Sequence, residues 1–244
     1  MRQETIIYYF PMKEQEGILC TAKKHWWQEV KLQGKEMAET DGLSILACPV
    51  PTFYYRKKNW KPQVLCEAME NVLYEAEGMT DTFLAPALKK YFPQEMEKRW
   101  RPRLDTIQQM TALQLAGQAA GYRKRPDRAI VWLGEAKDAD WQMEMTWELL
   151  QPYLSRINQC IIWYEPIPGV DIREELDEFL EEYYYEYGLL VEMQSYGQER
   201  KTDTGKDNQL RRTGLLLDYR GDNLYRSSLK YLDTMVKNRY DKLV

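Results

Sequence analysis

The stretch that decides the fold is Ala129-Ile130-Val131-Trp132-Leu133, closed by Gly134. It is answered downstream by Cys160-Ile161-Ile162-Trp163-Tyr164, closed by Glu165-Pro166-Ile167-Pro168-Gly169. Short apolar runs without alternation fit strands buried on both faces, because a strand with one wet face alternates apolar and polar residues. Between the two runs, Asp140 to Ile157 carries Met143, Trp147, Leu150 and Leu154 at helical spacing. Strand, helix and strand in that order predict a βαβ unit and therefore parallel strands.

The rhythm continues towards the C-terminus. Asp171 to Tyr187 reads as a helix, with Asp171 and Glu174 at capping-box spacing and Gly188 as its stop. Leu189 to Met193 makes a third strand and Gly214 to Tyr219 a fourth. Asp222 opens a last helix, on which Leu224, Tyr231, Leu232, Met235 and Val236 trace an apolar stripe. One interval, Ser195 to Arg212, has no helical pattern and is rich in polar residues. It reads as a surface excursion, as a functional lid, or as the turn of an antiparallel hairpin joining the third and fourth strands.

Upstream, Thr5 to Phe10 and Leu43 to Val50 read as strands, and Trp26 to Leu32 is a further candidate. Leu65 to Ala76 predicts a helix with a clean apolar face. Phe83 to Tyr91 predicts a short helix ending before Pro93, and Leu104 to Ala120 a longer one. The expected fold is α/β: a Rossmann-like three-layer sandwich, mostly parallel in the second half, with a mixed α/β N-terminal part. Residues 1–244 read as a single α/β unit, with a division into lobes 1–103 and 104–244 as the alternative.

The chain has 244 residues, 30% of them charged and 44% apolar, enough for a sizeable core. Its 34 basic and 38 acidic residues give a net charge of −4, which argues against a general nucleic-acid coat. No apolar run is long enough to span a bilayer, and no signal-peptide pattern opens the sequence, so a cytoplasmic location is expected. The single histidine, His25, excludes a His-rich zinc site. Cys20, Cys48, Cys66 and Cys160 form no Cys-x-x-Cys pair and read as thiols in a reducing compartment.

No cofactor is implied by motif. The Gly-x-Gly-x-x-Gly turn that lets backbone approach a dinucleotide pyrophosphate is absent. Gly205-Lys206 comes nearest to a P-loop, but Asp207 stands where Ser or Thr would bind Mg²⁺. No serine lies in a Gly-x-Ser-x-Gly elbow.

Position then supplies the candidates. In open parallel sheets ligands bind beyond the carboxyl ends of the strands, and that edge gathers Glu135, Glu165, Glu192 and Asp218. Carboxylates there can hold Mg²⁺ for nucleotide or phosphoryl chemistry. The alternative is that they cap helices or pair with arginines. Asp218, directly after Leu215-Leu216-Leu217, has Arg220 as its ready partner.

Charge is uneven along the chain. Lys98 to Arg128 holds eight bases and two acids, net +6, and offers Arg99, Arg101, Arg103, Arg123, Lys124 and Arg125 as a possible anion-binding set. With Trp100 and Tyr122 interleaved, such a patch can track a phosphate backbone. The overall acidic balance favours solvated helix ends instead, and nucleic acid is not the expected partner. Asp171 to Glu192 holds nine acids and one arginine, net −8, and includes Tyr183-Tyr184-Tyr185-Glu186-Tyr187. Three consecutive tyrosines cover most of a helix circumference, so some must meet another element or a partner chain. The favoured reading is a non-catalytic or regulatory cytoplasmic α/β protein acting through protein contacts or self-association at this helix. The alternative is a Mg²⁺-dependent enzyme at the carboxyl edge, using Glu135, Glu165 and Asp218.

Overall fold

The computed structural model describes residues 4–12, 32, 34–40, 43–51, 62–75, 79–92, 100–121, 127–166, 180–181, 183–195 and 214–240. Except for Leu32 and Ser195, the strand expected over Trp26 to Leu32 and the polar connection Ser195 to Arg212 lie outside the described residues. The first part of the helix expected over Asp171 to Tyr187 lies outside them as well. The chain divides into two compact units: Met1–Gln109 with Leu229–Val244, and Met110–Ser228.

In the first unit, β1 (Glu4–Met12), β2 (Lys35–Thr40), β3 (Leu43–Pro51) and β4 (Met79–Leu84) form a mixed sheet of order β2-β3-β1-β4. β1 is parallel to both β3 and β4, while β2 runs antiparallel to β3. Helix α1 (Pro62–Glu75) precedes β4. The short α2 (Pro86–Lys89) follows it, and α3 (Leu104–Gly121) begins in this unit. Ile7, Tyr9, Cys48 and Val50 share a buried cluster with Leu65, Ala68, Met69 and Val72 of α1, which is the apolar face read from the sequence. Tyr9 is fully buried because its hydroxyl finds an acceptor in the Met69 carbonyl at 2.9 Å.

The prolines of this sheet sit where the partner strand on one side has run out, although β1 and β3 stay paired with each other there. β2 reaches only Leu43 to Ala47 of β3, and Pro49 and Pro51 lie past that limit. β4 reaches only Glu4 to Tyr9 of β1, and Pro11 lies past it. A residue without an N–H is tolerated where no ladder bond is asked of it.

One expectation needs correction here. Phe83 and Leu84 belong to strand β4 rather than to a helix, and only Pro86–Lys89 is α-helical in that stretch. The strand is hidden in the sequence because Thr80-Asp81-Thr82 reads as polar, and Pro86 restarts the chain as a helix from its first turn. β2, Lys-Glu-Met-Ala-Glu-Thr, is an equally polar edge strand and gives no apolar run to detect.

The second unit carries β5 (Arg128–Trp132), α4 (Ala139–Leu150), β6 (Gln159–Tyr164), β7 (Leu190–Ser195) and β8 (Leu215–Asp218). Helix α5 (Asn223–Tyr240) begins in this unit. All four strands are parallel, in the order β7-β6-β5-β8. Strands β7 and β8 therefore occupy opposite edges of the sheet, and the hairpin alternative is wrong. The helix expected to reach Ile157 stops at Leu150, because Pro152 has no N–H for an internal turn and is placed in a 3₁₀ turn over Gln151–Tyr153.

Both faces of this sheet are buried, as the unbroken apolar runs require. Ala129, Val131, Cys160, Ile162, Leu215 and Leu217 pack on one face with Met143, Trp147 and Leu150 of α4. Ile130, Trp132, Ile161 and Trp163 form a separate cluster on the other face, with Leu216 against it. Each such side chain contributes roughly 1.5–3 kcal/mol on leaving water. The chain is thus α/β, with one mixed and one parallel sheet. In both sheets the earliest of the mutually parallel strands is central, although the sequence shows no repeat.

Candidate functional site

The carboxyl edge of the second sheet is where the sequence places a ligand. Connections diverge between β5 and β8, the position at which open α/β sheets leave a crevice. Here that position is filled. A Cβ at Gly134 would lie 2.7 Å from the Tyr219 carbonyl oxygen, so the two backbones touch. The Gly134 N–H donates to Gln142 Oε1 at 2.8 Å, and the Tyr219 N–H donates to the Trp132 carbonyl. The Tyr219 ring is buried, with its hydroxyl 2.9 Å from Thr146 Oγ1 and Trp141 edge-on to it. Burial raises the Tyr219 hydroxyl pKa, so this group stays protonated.

Asp218 ends β8, buried, and its four acceptor positions are taken. Oδ1 accepts from the Arg220 backbone N–H at 3.2 Å and from Arg220 Nε at 2.8 Å. Oδ2 accepts from Arg220 Nη2 at 2.7 Å and from Asn223 Nδ2 at 3.0 Å. The Arg220 guanidinium lies 3.9 Å from the Trp132 ring centre, and Trp132 stacks on Trp163 at 5.2 Å. This assembly fixes the turn into α5, and a cation could reach the carboxylate only by displacing Arg220 or Asn223.

The other expected acids are dispersed in role. Glu135 is exposed and pairs at 2.8 Å with Lys137, also exposed, which lowers the Glu135 pKa. Glu165 is exposed after β6. Glu192 is not at a strand end: it faces Ile161 in the middle of β7 and accepts from Gln159 Nε2 at 2.6 Å. Among the described residues no group of three His, Cys, Asp or Glu is arranged to hold a metal ion.

Of the basic set, Arg101 is exposed in the first unit and Arg103 pairs with Asp81 at 2.9 Å and with Glu4 at 3.9 Å. Arg99, Arg123, Lys124 and Arg125 lie outside the described residues. No described helix is long and apolar enough to cross a membrane.

The tyrosine run is the surface that remains. Residues 183–187 are helical and end at Gly188, whose φ of 65° is the left-handed stop that glycine permits. Tyr183 anchors the turn by stacking on Trp147 at 3.9 Å. Successive helix positions rotate by about 100°, so anchoring Tyr183 turns Tyr184 and Tyr185 outward. They are 54% and 81% exposed, and Tyr187 and Leu190 are 41% and 49% exposed. Glu181 and Glu186 are exposed beside them. Leu190 opens β7, which among the described residues pairs with β6 alone. The sequence signalled the tyrosines through their crowding. Leu190 and the strand edge were not visible, because strand order is needed to know which strand is outermost.

Comparison of the chain with protein-family models, with curated proteins and with solved structures returned no match in any of the three.

Proposed function

We propose that this is a non-catalytic, regulatory α/β protein of the cytoplasm that binds a basic, extended polypeptide segment. The observation that carries the reading is the cluster of Tyr184, Tyr185, Tyr187 and Leu190, exposed within seven residues beside the outer strand β7. Exposed large apolar groups grouped in this way mark interaction surfaces, and tyrosine adds a polar tip to an apolar body. The charge around them selects the partner: the net −8 over residues 171–192 repels another acidic surface and attracts lysine and arginine. Tyrosine faces accept guanidinium and ammonium groups, and an edge strand offers backbone pairing to an extended segment. Among the described residues, Cys48, Cys66 and Cys160 are buried and in no disulfide, which supports a reducing compartment.

The test is titration of a fluorescent Lys/Arg-rich peptide, with an acidic peptide of equal length as control. Binding should weaken with salt, and Tyr185→Ala with Tyr184→Ala should weaken it about tenfold while leaving the melting temperature in place. Equal binding by the double variant would refute the assignment. A self-associated wild type that the double variant turns into monomer would replace the basic peptide by a second copy of the chain.

A further inference from the structure

The first unit contains a cavity of about 250 Å³ that the protein-contact reading does not use. Glu70 and Leu73 of α1, Thr80 to Thr82 of β4, Trp100 and Arg101 line it. Leu84 of β4 packs with α1, and side chains alternate along a strand, so Thr80 and Thr82 turn theirs to that same face. Asp81 turns its own to the opposite face, where it meets Arg103 and Thr106. The cavity therefore reaches Asp81 through the backbone, at the outer rim of β4 on the α1 side. β4 is the last strand of its sheet. The Ala85 N–H donates to the carbonyl of Tyr9, which lies opposite Leu84. That bond fixes the phase of the ladder: Asp81 and Phe83 turn their backbone groups to β1, and Thr80 and Thr82 turn N–H and C=O outward. Among the described residues no strand pairs with those outward groups. The Thr80 hydroxyl oxygen is also buried without a hydrogen-bond partner. Polar groups gathered unmet at one small cavity are costly unless something bonds them.

We propose that this cavity binds a free L-α-amino acid with an apolar side chain, which lies antiparallel to β4 as a strand of one residue. In an antiparallel pair, two opposed residues exchange both N–H···O bonds. The ligand's ammonium thus donates to the Thr80 carbonyl, and its carboxylate accepts from the Thr80 N–H. Residues opposed in this way carry their side chains on one face of the sheet. The L configuration therefore places the ligand's side chain beside that of Thr80, on the face where Leu73 and Trp100 supply apolar walls. Charge agrees with the assignment. Glu70 and Arg101 put one carboxylate and one guanidinium in the lining, a balanced pair that suits a zwitterion. A residue within a peptide has neither end charge. The volume, below the roughly 300 Å³ at which pockets for drug-sized ligands start, suits a single residue.

The experiment uses the full chain, with thermal melting and calorimetric titration against L-leucine, L-valine and L-methionine. The controls are D-leucine, 4-methylpentanoate, 3-methylbutylamine and N-acetyl-L-leucinamide. At least one of the three L-amino acids should bind and raise the melting temperature. D-Leucine, which turns its side chain to the wrong face, should bind about tenfold more weakly than L-leucine or not at all. The same holds for 4-methylpentanoate, which lacks the ammonium, and for 3-methylbutylamine, which lacks the carboxylate; a lost bond to a charged group is worth about tenfold or more. Arg101 is exposed, so Arg101→Gln should fold normally and weaken binding by about tenfold. No response to any of the three L-amino acids would overturn the proposal, as would equal binding of the two leucine enantiomers or unchanged affinity in Arg101→Gln. Equal binding of N-acetyl-L-leucinamide would overturn it in favour of a peptide strand at this edge. None of these outcomes depends on the tyrosine surface, and Tyr185→Ala should leave amino-acid binding intact.

Discussion

Replacing Asp218 by alanine tests the assembly at the end of β8. The substitution removes the acceptor of two side-chain bonds from Arg220, one from Asn223 and one from the Arg220 backbone. Bonds to charged groups are worth about 1.5–3 kcal/mol each, and stripping one partner from a buried pair costs about 3–5 kcal/mol. The Arg220 side chain is 26% exposed against 9% for Asp218, so water recovers part of the stranded guanidinium. The lower end of the range applies, and a loss of about 3 kcal/mol is expected. Arg220→Ala should cost about as much, since it strands the more deeply buried partner and also removes the cation over Trp132. Because both variants break one network, the double variant should fall short of their sum by at least about 1.5 kcal/mol. Urea unfolding read by tryptophan fluorescence and far-ultraviolet circular dichroism measures all three. An Asp218→Ala variant within about 0.5 kcal/mol of wild type, the level of an ordinary surface change, would refute the reasoning, as would strict additivity.

Further outcomes follow from single contacts. Gly134→Ala drives a methyl group to 2.7 Å from a backbone oxygen and should cost about 1–3 kcal/mol by calorimetry. At Gly188 nothing crowds a new Cβ, so Gly188→Ala should lose only the roughly 1–2 kcal/mol of the left-handed conformation, and Gly188→Asn less. Burial pushes the Cys66 thiol up to about 11 and the Cys160 thiol up to about 12, so both should resist maleimide at pH 8 until urea unfolds the chain. The same raised values, with those of Tyr9 and Tyr219, set the alkaline limit. The folded state holds protons that the unfolded chain releases above pH 9 to 10, so stability is full below that range and falls as pH rises through it. Denaturant midpoints that stay level from pH 8 to 11 would contradict these assignments.

The legible parts of the sequence were those in which one physical pressure acted alone. The runs 129–133 and 160–164 are buried on both faces, so nothing dilutes their apolar composition, and the register Trp132 to Trp163 follows from two like strands. Strands β2 and β4 were lost because edge strands carry polar residues on purpose. In β4 the polar Thr80 and Thr82 serve a cavity wall rather than a core. Asp218 and Arg220 were found as a pair because an acid directly after three leucines needs a partner close by. Glu192 was misplaced by inferring a strand end from composition, where the ladder to Ile161 puts it in mid-strand. Asp81 passed unnoticed because its partners, Arg103 and Thr106, lie over twenty residues away.

The dividing lines inside α3 and α5 reverse the order in which the units can be finished during synthesis. Every residue of the second unit, Met110 to Ser228, has been made before the first unit receives Leu229 onwards. Among those late residues is Asp233, which accepts from the Tyr8 hydroxyl at 2.7 Å across 225 positions of chain. The first strand to emerge therefore waits for one of the last helices. Until then the sheet lacks the helix that Tyr8 bonds and is open to chaperones and to proteases, while the younger half is already complete. Expressing residues 1–109 alone should yield an aggregating fragment, and supplying α5 in trans is the natural rescue.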